Sequence, residues 1–119
     1  MVLVDTSVWV SHFRRNNDRL ENLLSQEIVY CHPFVIGELA CGQLRNRHEI
    51  LSLMSELPAS IQATDQDALI FIEKHQLAGK GLGIVDIHLL ASASLTGLVL
   101  WTEDKRMHQI ARQLHLALQ

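Results

Sequence analysis

Covalent cross-links are what this chain most conspicuously does without. Its 119 residues hold two cysteines, Cys31 and Cys41, both in apolar stretches and without CxxC spacing, so they read as small core residues in a reducing compartment, with no disulfide expected. Long hydrophobic runs are missing too. Nothing approaches the roughly 18 apolar residues of a membrane span, and the N-terminus MVLVDTS has neither a basic region nor the apolar stretch of a secretion signal. The chain is therefore expected in the cytoplasm, with no membrane partner. Positive charge is also short: 10 Lys and Arg stand against 13 Asp and Glu, a net charge of -3, which excludes a broad basic face of the kind that grips many phosphates at once. Local cations remain at Arg14/Arg15, Arg45/Arg47 and Lys105/Arg106, enough to steer a polyanion. The seven histidines show no HExxH or paired Cys/His spacing, which argues against zinc, and GKGLG lacks the GxxxxGK[ST] order of a phosphate loop.

What is present is ordinary globular material. With 48% hydrophobic and 19% charged residues, the chain is too apolar for disorder and long enough for one self-sufficient domain, residues 1–119. Short apolar runs alternate with amphipathic segments. Val2 to Asp5 reads as a strand feeding a helix from about Ser7 to Arg14, with Thr6 or Ser7 as the capping hydroxyl. Asn16, Asn17 and Asp18 precede RLENLLSQ, a helical segment, and Ile28 to Cys31 reads as the next strand. Pro33 suits the first turn of a following helix, where its missing N–H costs nothing. Asn46 to Leu57 places Ile50, Leu53, Met54 and Leu57 on one helical face, and Pro58 ends it. After a short strand near Ile61, Thr64 and Asp67 form an acidic capping box. Val85 to Leu95 is a nearly all-apolar helix, Leu98 to Trp101 a strand, Asp104 the opening of a last helix to about Gln113, and LHLAL an edge strand. Strand and helix alternate throughout, which predicts a parallel α/β sheet with helices on both faces.

Four acids stand out because each sits where an apolar run meets a turn or a helix face: Asp5 in VLVDTS, Glu38 in FVIGELA, Asp86 in GIVDIHLL and Asp104 in LWTEDKR. Two carboxylates about 4 Å apart repel by roughly 4 kcal/mol at an effective dielectric near 20, and a divalent cation removes that cost. Hard oxygen ligands select Mg²⁺, with Mn²⁺ able to substitute. Ligands of parallel sheets bind outside the carboxyl ends of the strands, where all four can converge. Taken singly, Asp5 and Asp104 also read as helix caps, Glu38 as a solvated helix residue and Asp86 as a first-turn residue facing the helix dipole. The pair Asp65 and Asp67, just after Thr64, reads as helix initiation and not as a metal site.

Over nearly its whole length the chain resembles the PIN-domain ribonucleases, in particular the VapC-type toxins of type II toxin–antitoxin pairs. The resemblance is carried by VLVDTSVWV with Asp5, GELACG with Glu38, GIVDIHLLASA with Asp86, and LWTEDKRM with Thr102 and Asp104. It departs from the family pattern at Glu103, beside Asp104. It implies a PIN-like three-layer α/β/α fold with a central, mainly parallel five-stranded sheet, an acidic Mg²⁺ site, and cleavage of single-stranded RNA, such as tRNA or rRNA loops, to a 5′-phosphate and a 3′-hydroxyl. It also implies a VapB-type antitoxin partner and a homodimer, for which the apolar LENLL and EILSLMSEL segments are candidate contacts. In the mechanism this suggests, Asp5, Asp86 and Asp104 form the metal shell, Glu38 orients or deprotonates the attacking water, and Thr6, Ser7 or Thr102 fixes a carboxylate or touches phosphate. Two other readings compete. A phosphotransfer receiver also clusters aspartates on Mg²⁺ but needs a phospho-accepting Asp and a late-strand Lys that this chain lacks at suitable places. A catalytically inactive PIN-like module binding RNA or protein is opposed by the complete carboxylate set.

Overall fold

The computed structural model describes residues 1–119. Three short parallel strands form the sheet: β1 (Val2–Val4), β2 (Val29–Tyr30) and β3 (Val99–Trp101), in the order β2-β1-β3. The register pairs Leu3 with Tyr30 on one side and with Leu100 on the other. A five-stranded sheet was expected, but the two outer rows shrink to single parallel bridges, Cys31 with Ala59 and Leu100 with Ala117. Ser60 and Leu118 donate to Cys31 and Leu100 respectively at 3.1 and 3.0 Å, so the strands anticipated near Ile61 and in LHLAL exist only as one-residue ladders. Pro58 and the left-handed His115 (φ 59°) interrupt the chain beside each bridge, leaving little extended backbone to pair.

Seven helices surround the sheet: α1 (Thr6–Arg14), α2 (Asp18–Ser25), α3 (Pro33–Cys41), α4 (Arg47–Ser55), α5 (Asp65–His75), α6 (Ile84–Thr96) and α7 (Lys105–Gln113). Their ends follow local chemistry. Asn17 caps α2 by accepting from the Leu20 N–H at 3.0 Å, and Thr64 with Asp67 closes a reciprocal capping box on α5 at 3.0 and 2.9 Å. The helix α6 ends at Gly97, whose φ of 74° suits glycine. The expected hydroxyl cap of α1 is not formed. Asp5 takes the cap position, without a side-chain cap bond, because Thr6 and Ser7 spend their hydroxyls elsewhere.

The core gathers the strands, Val8 and Trp9 of α1, Val35 and Leu39 of α3, and a continuous buried run from Ile87 to Ala93 along α6. Three expectations about apolar faces need correction. Leu53 is 56% exposed while Met54 on the same helix is buried, so α4 turns a narrower face inward. Leu20 is fully buried and Leu23 and Leu24 are partly buried against the core, which narrows the apolar face that LENLL offers for a symmetric contact. Cys31 is buried and its thiol pushed up to about 11 by that burial, but Cys41 is exposed at the end of α3.

The residue at the start of α3 went unread in the sequence. His32 is buried, and its Nδ1 accepts the Phe34 N–H at 2.9 Å as the helix cap. Burial, with His88 nearby as a second cause, pulls its pKa from 6.5 down to about 4. An unfolded imidazole takes up its proton near pH 6.5 and the folded one near 4, so its contribution is whole above 6.5 and is lost as pH falls toward about 4. Protonation also destroys the cap acceptor. Denaturant titrations at pH 7 and pH 4.5 should show His32→Asn, which retains a capping group, to be less pH-dependent than the parent, by an amount bounded at about 3 kcal/mol. Equal pH dependence in the two proteins would contradict this account.

Candidate active site

Parallel pairing brings the carboxyl ends of β1 and β3 side by side, and the Asp5 N–H continues the ladder by donating to the Trp101 carbonyl at 2.9 Å. The chain then turns into α1 on one strand and toward α7 on the other, so that Asp5 and Thr102 meet. Thr102 Oγ1 donates to Asp5 Oδ2 at 2.8 Å, and Ser7 Oγ donates to the same oxygen at 2.8 Å. Both hydroxyls are used a second time. The Asp104 N–H donates to Thr102 Oγ1 at 3.1 Å and the Glu103 N–H to Ser7 Oγ at 3.0 Å. Asp5 is only 7% exposed, a costly place for a carboxylate without such donors. With no cap bond to α1, it has no helix-capping duty to explain its presence.

The other acids arrive from different elements. Asp104 lies at the N-cap of α7 and accepts the Met107 N–H on Oδ1 at 2.9 Å. Asp86, in the first turn of α6, accepts the Gly83 N–H on Oδ2 at 3.1 Å. Glu38 extends from the exposed side of α3 and accepts from Thr6 Oγ1 on Oε1 at 2.6 Å. In all four, the protein's donors hold one carboxylate oxygen and leave the other without a protein partner. The carboxylates also feel one another. The Asp86 pKa is raised, first by burial and then by the like charges of Asp5, Asp104 and Glu38, while the Gly83 N–H partly offsets this.

No three His, Cys, Asp or Glu side chains close around a single point tightly enough to form a metal cage. The donor set nevertheless fits a hard cation that keeps most of its water and is held by one or two carboxylates, as Mg²⁺ is. A structural zinc cage is built mainly from Cys and His donors, and this set contains neither. Glu103, the departure noted in the sequence, is exposed and touches the site through its backbone only.

Asp65 and Asp67 stay outside. Asp67 completes the α5 capping box, and Asp65 lies 3.2 Å from the Nε2 of buried His88, whose ring stands edge-on to Phe34 with centroids 4.9 Å apart. The GKGLG turn has a specific partner. A side chain at Gly81 (φ 84°) would collide with the Arg106 guanidinium, so glycine there lets α7 lie against the loop that leads to Asp86. What sequence patterns did not suggest is a cleft of about 790 Å³ that reaches Glu38 and is walled in part by Phe13, Arg14 and Arg45. Those residues come from α1 and the α3–α4 turn, and no spacing along the chain relates them.

Comparison with known proteins agrees with the fold. The PIN domain family model matches residues 2–113. Ribonuclease VapC32 of Mycobacterium tuberculosis, in two strains, is 41% identical over 119 residues, covering 99% of this chain and 96% of that protein. Among solved structures, FitAcB from Neisseria gonorrhoeae superimposes with a TM-score of 0.63 at 19% identity over 94% of each chain. FitAB bound to an IR36 DNA fragment gives a TM-score of 0.60 at 17% identity, covering 94% of this chain and 91% of that one. At those identities the two structures speak for the fold alone.

Two substitutions probe the cluster without metal. Thr102→Val keeps the shape but strips Asp5 of a donor and the Asp104 N–H of its acceptor, and should lower stability by about 1–3 kcal/mol in EDTA. Asp86→Asn relieves burial and repulsion together while its side-chain oxygen can still accept from Gly83. Its melting temperature in EDTA should equal or exceed that of the parent, and a clear drop would mean that the charge is structural.

Proposed function

The chain belongs to the PIN-domain family, and on that footing we propose that it is a Mg²⁺-dependent endoribonuclease, the toxin of a type II toxin–antitoxin pair, cutting single-stranded RNA such as tRNA or rRNA loops. The observation that carries the reading is the set of four carboxylates at the carboxyl end of the sheet, each with one oxygen held and one free. The 41% identity to a ribonuclease along nearly its full length supports the same activity here. Asp5, Asp86 and Asp104 would hold Mg²⁺, with Mn²⁺ able to substitute. When bound, the ion supplies an activated water and offsets charge on the phosphate.

The chain's own groups do the rest. Ser7 and Thr102 hold Asp5 in one orientation, so that its free oxygen is preorganised and little is lost to reordering during the reaction. Glu38, exposed and steadied by Thr6, orients the attacking water and takes its proton. The water oxygen bonds to phosphorus as the bond to the 3′ oxygen breaks, and the departing oxygen takes a proton from solvent, leaving a 5′-phosphate and a 3′-hydroxyl.

The partners follow from the same reading. A VapB-type antitoxin would carry an Arg or Lys into the acidic groove and compete with the metal. A second copy of the chain would cover the apolar strip formed by Leu69 and Ile70 on α5 and Leu95 on α6. All three are more than half exposed, and Ile70 borders both of the shallow hollows that the strip contains. No helix is long and apolar enough to cross a membrane.

Asp5→Asn and, separately, Asp86→Asn should abolish cleavage of total cellular RNA and relieve growth inhibition, with melting curves that still report a folded protein. Asp67→Asn, at the α5 cap, should leave activity intact. Cleavage that survives EDTA, or an active Asp5→Asn protein, would overturn the assignment. For the dimer, Ile70→Lys should convert the particle seen by light scattering at micromolar concentration to a monomer. A parent protein that is already monomeric would remove that part of the proposal.

A further inference from the structure

The cleft beside Glu38 combines groups that the carboxylate site does not use. Phe13 and Leu44 give it apolar walls, Gln43 and Asn46 bring amides, and Arg14 and Arg45 bring cations. Both arginines are exposed, and neither lies within 4 Å of a carboxylate, the one such contact in the chain being that of His88 with Asp65. The turn that presents Gln43 and Arg45 is held from both sides. Arg47 donates to the Gly42 carbonyl at 3.1 Å, and Asn46 enters α4 in the left-handed region, with a φ of 53°. At about 790 Å³ the cleft lies within the roughly 300–1,000 Å³ typical of small-ligand sites.

We propose that this cleft receives a nucleobase of the RNA strand next to the scissile phosphate, stacked against Phe13, with flanking phosphates met by Arg14 and Arg45, and that it sets which sequence is cut. The proposal rests on the ribonuclease reading and adds the specificity-determining subsite. Aromatic faces with amides and guanidinium groups are the chemistry by which unstacked bases are read. A polyanion approaching four carboxylates also needs cations close by, and a chain with a net charge of -3 has few to offer. Glu38 belongs to both the cleft and the catalytic cluster, so a strand lying in one continues into the other.

The test compares wild type with Phe13→Leu and Arg45→Gln. Sequencing the ends cut from an RNA pool of randomised sequence reads specificity. Fluorescence anisotropy with a short labelled single-stranded RNA in EDTA reads binding without turnover. Wild type should prefer particular bases at one position beside the cut. Phe13→Leu should flatten that preference and lower kcat/KM about tenfold, the usual consequence of losing one stacked base. Arg45→Gln, on the surface and harmless to folding, should reduce the slope of log affinity against log salt by about 0.7, one phosphate contact to a single strand. Unchanged cut sites, rates and salt slope in both variants would overturn the proposal. So would variants that bind and cut RNA normally but escape the antitoxin, since the cleft would then be a protein groove. If wild type cuts no RNA, the ribonuclease reading fails, while the salt slope and the Phe13→Leu affinity still decide whether the cleft holds RNA.

Discussion

Repulsion between like charges is the constraint around which this protein is arranged. Burial at the end of a small sheet, and then the like charges of Asp5, Asp104 and Glu38, raise the pKa of Asp86 and oppose folding, so the chain spends hydrogen bonds to keep the cluster assembled. Three hydroxyls and two backbone N–H groups are committed to it: Ser7 and Thr102 on Asp5, Thr6 on Glu38, the Gly83 N–H on Asp86 and the Met107 N–H on Asp104. Each donor neutralises part of one carboxylate and fixes its orientation, and the remaining free energy must come from the apolar core beneath.

That division of labour explains why local hydrogen bonds, not buried ion pairs, hold the site. A lysine or arginine inside the cluster would neutralise it permanently and occupy the place of a cation. Serine, threonine and backbone N–H groups have no net charge, so they stabilise the carboxylates without cancelling the field between them. The cations of the molecule lie outside: Arg106 over the Gly81 turn, and Arg14 and Arg45 in the neighbouring cleft. Charge thus changes sign over a short distance, which suits a linear anion that must be both gripped and attacked.

Much of this was legible in the sequence, for identifiable reasons. Asn17, Thr64 and Asp67 act on their own helices within three residues, so capping rules found them, and the apolar density of GIVDIHLLASA announced a buried α6. Edge strands were overcalled because LHLAL has the composition of a strand but only one residue, Ala117, reaches the ladder. Leu53 fell on the predicted inner face of α4 and lies outside because a short helix at the surface needs fewer inward residues than its pattern offers. The second use of each hydroxyl, and the cleft that Phe13 and Arg45 both line, depend on where separate elements pack, and no periodicity encodes that. His32 escaped notice because histidine is an uncommon cap.

The bond from Thr102 to Asp5 joins residues 97 positions apart, and β1 lies at the centre of the sheet with β3 as its neighbour. During synthesis the first strand leaves the ribosome without the partner that completes its pairing. At about 5–20 residues per second, it waits roughly 5–20 s for the last strand to follow. Throughout that interval Asp5 lacks the Thr102 donor that follows β3, and Asp104 has not yet been added to the chain. A chain that stops before Thr102 therefore has no assembled cluster, and the site forms only after the third strand has been made.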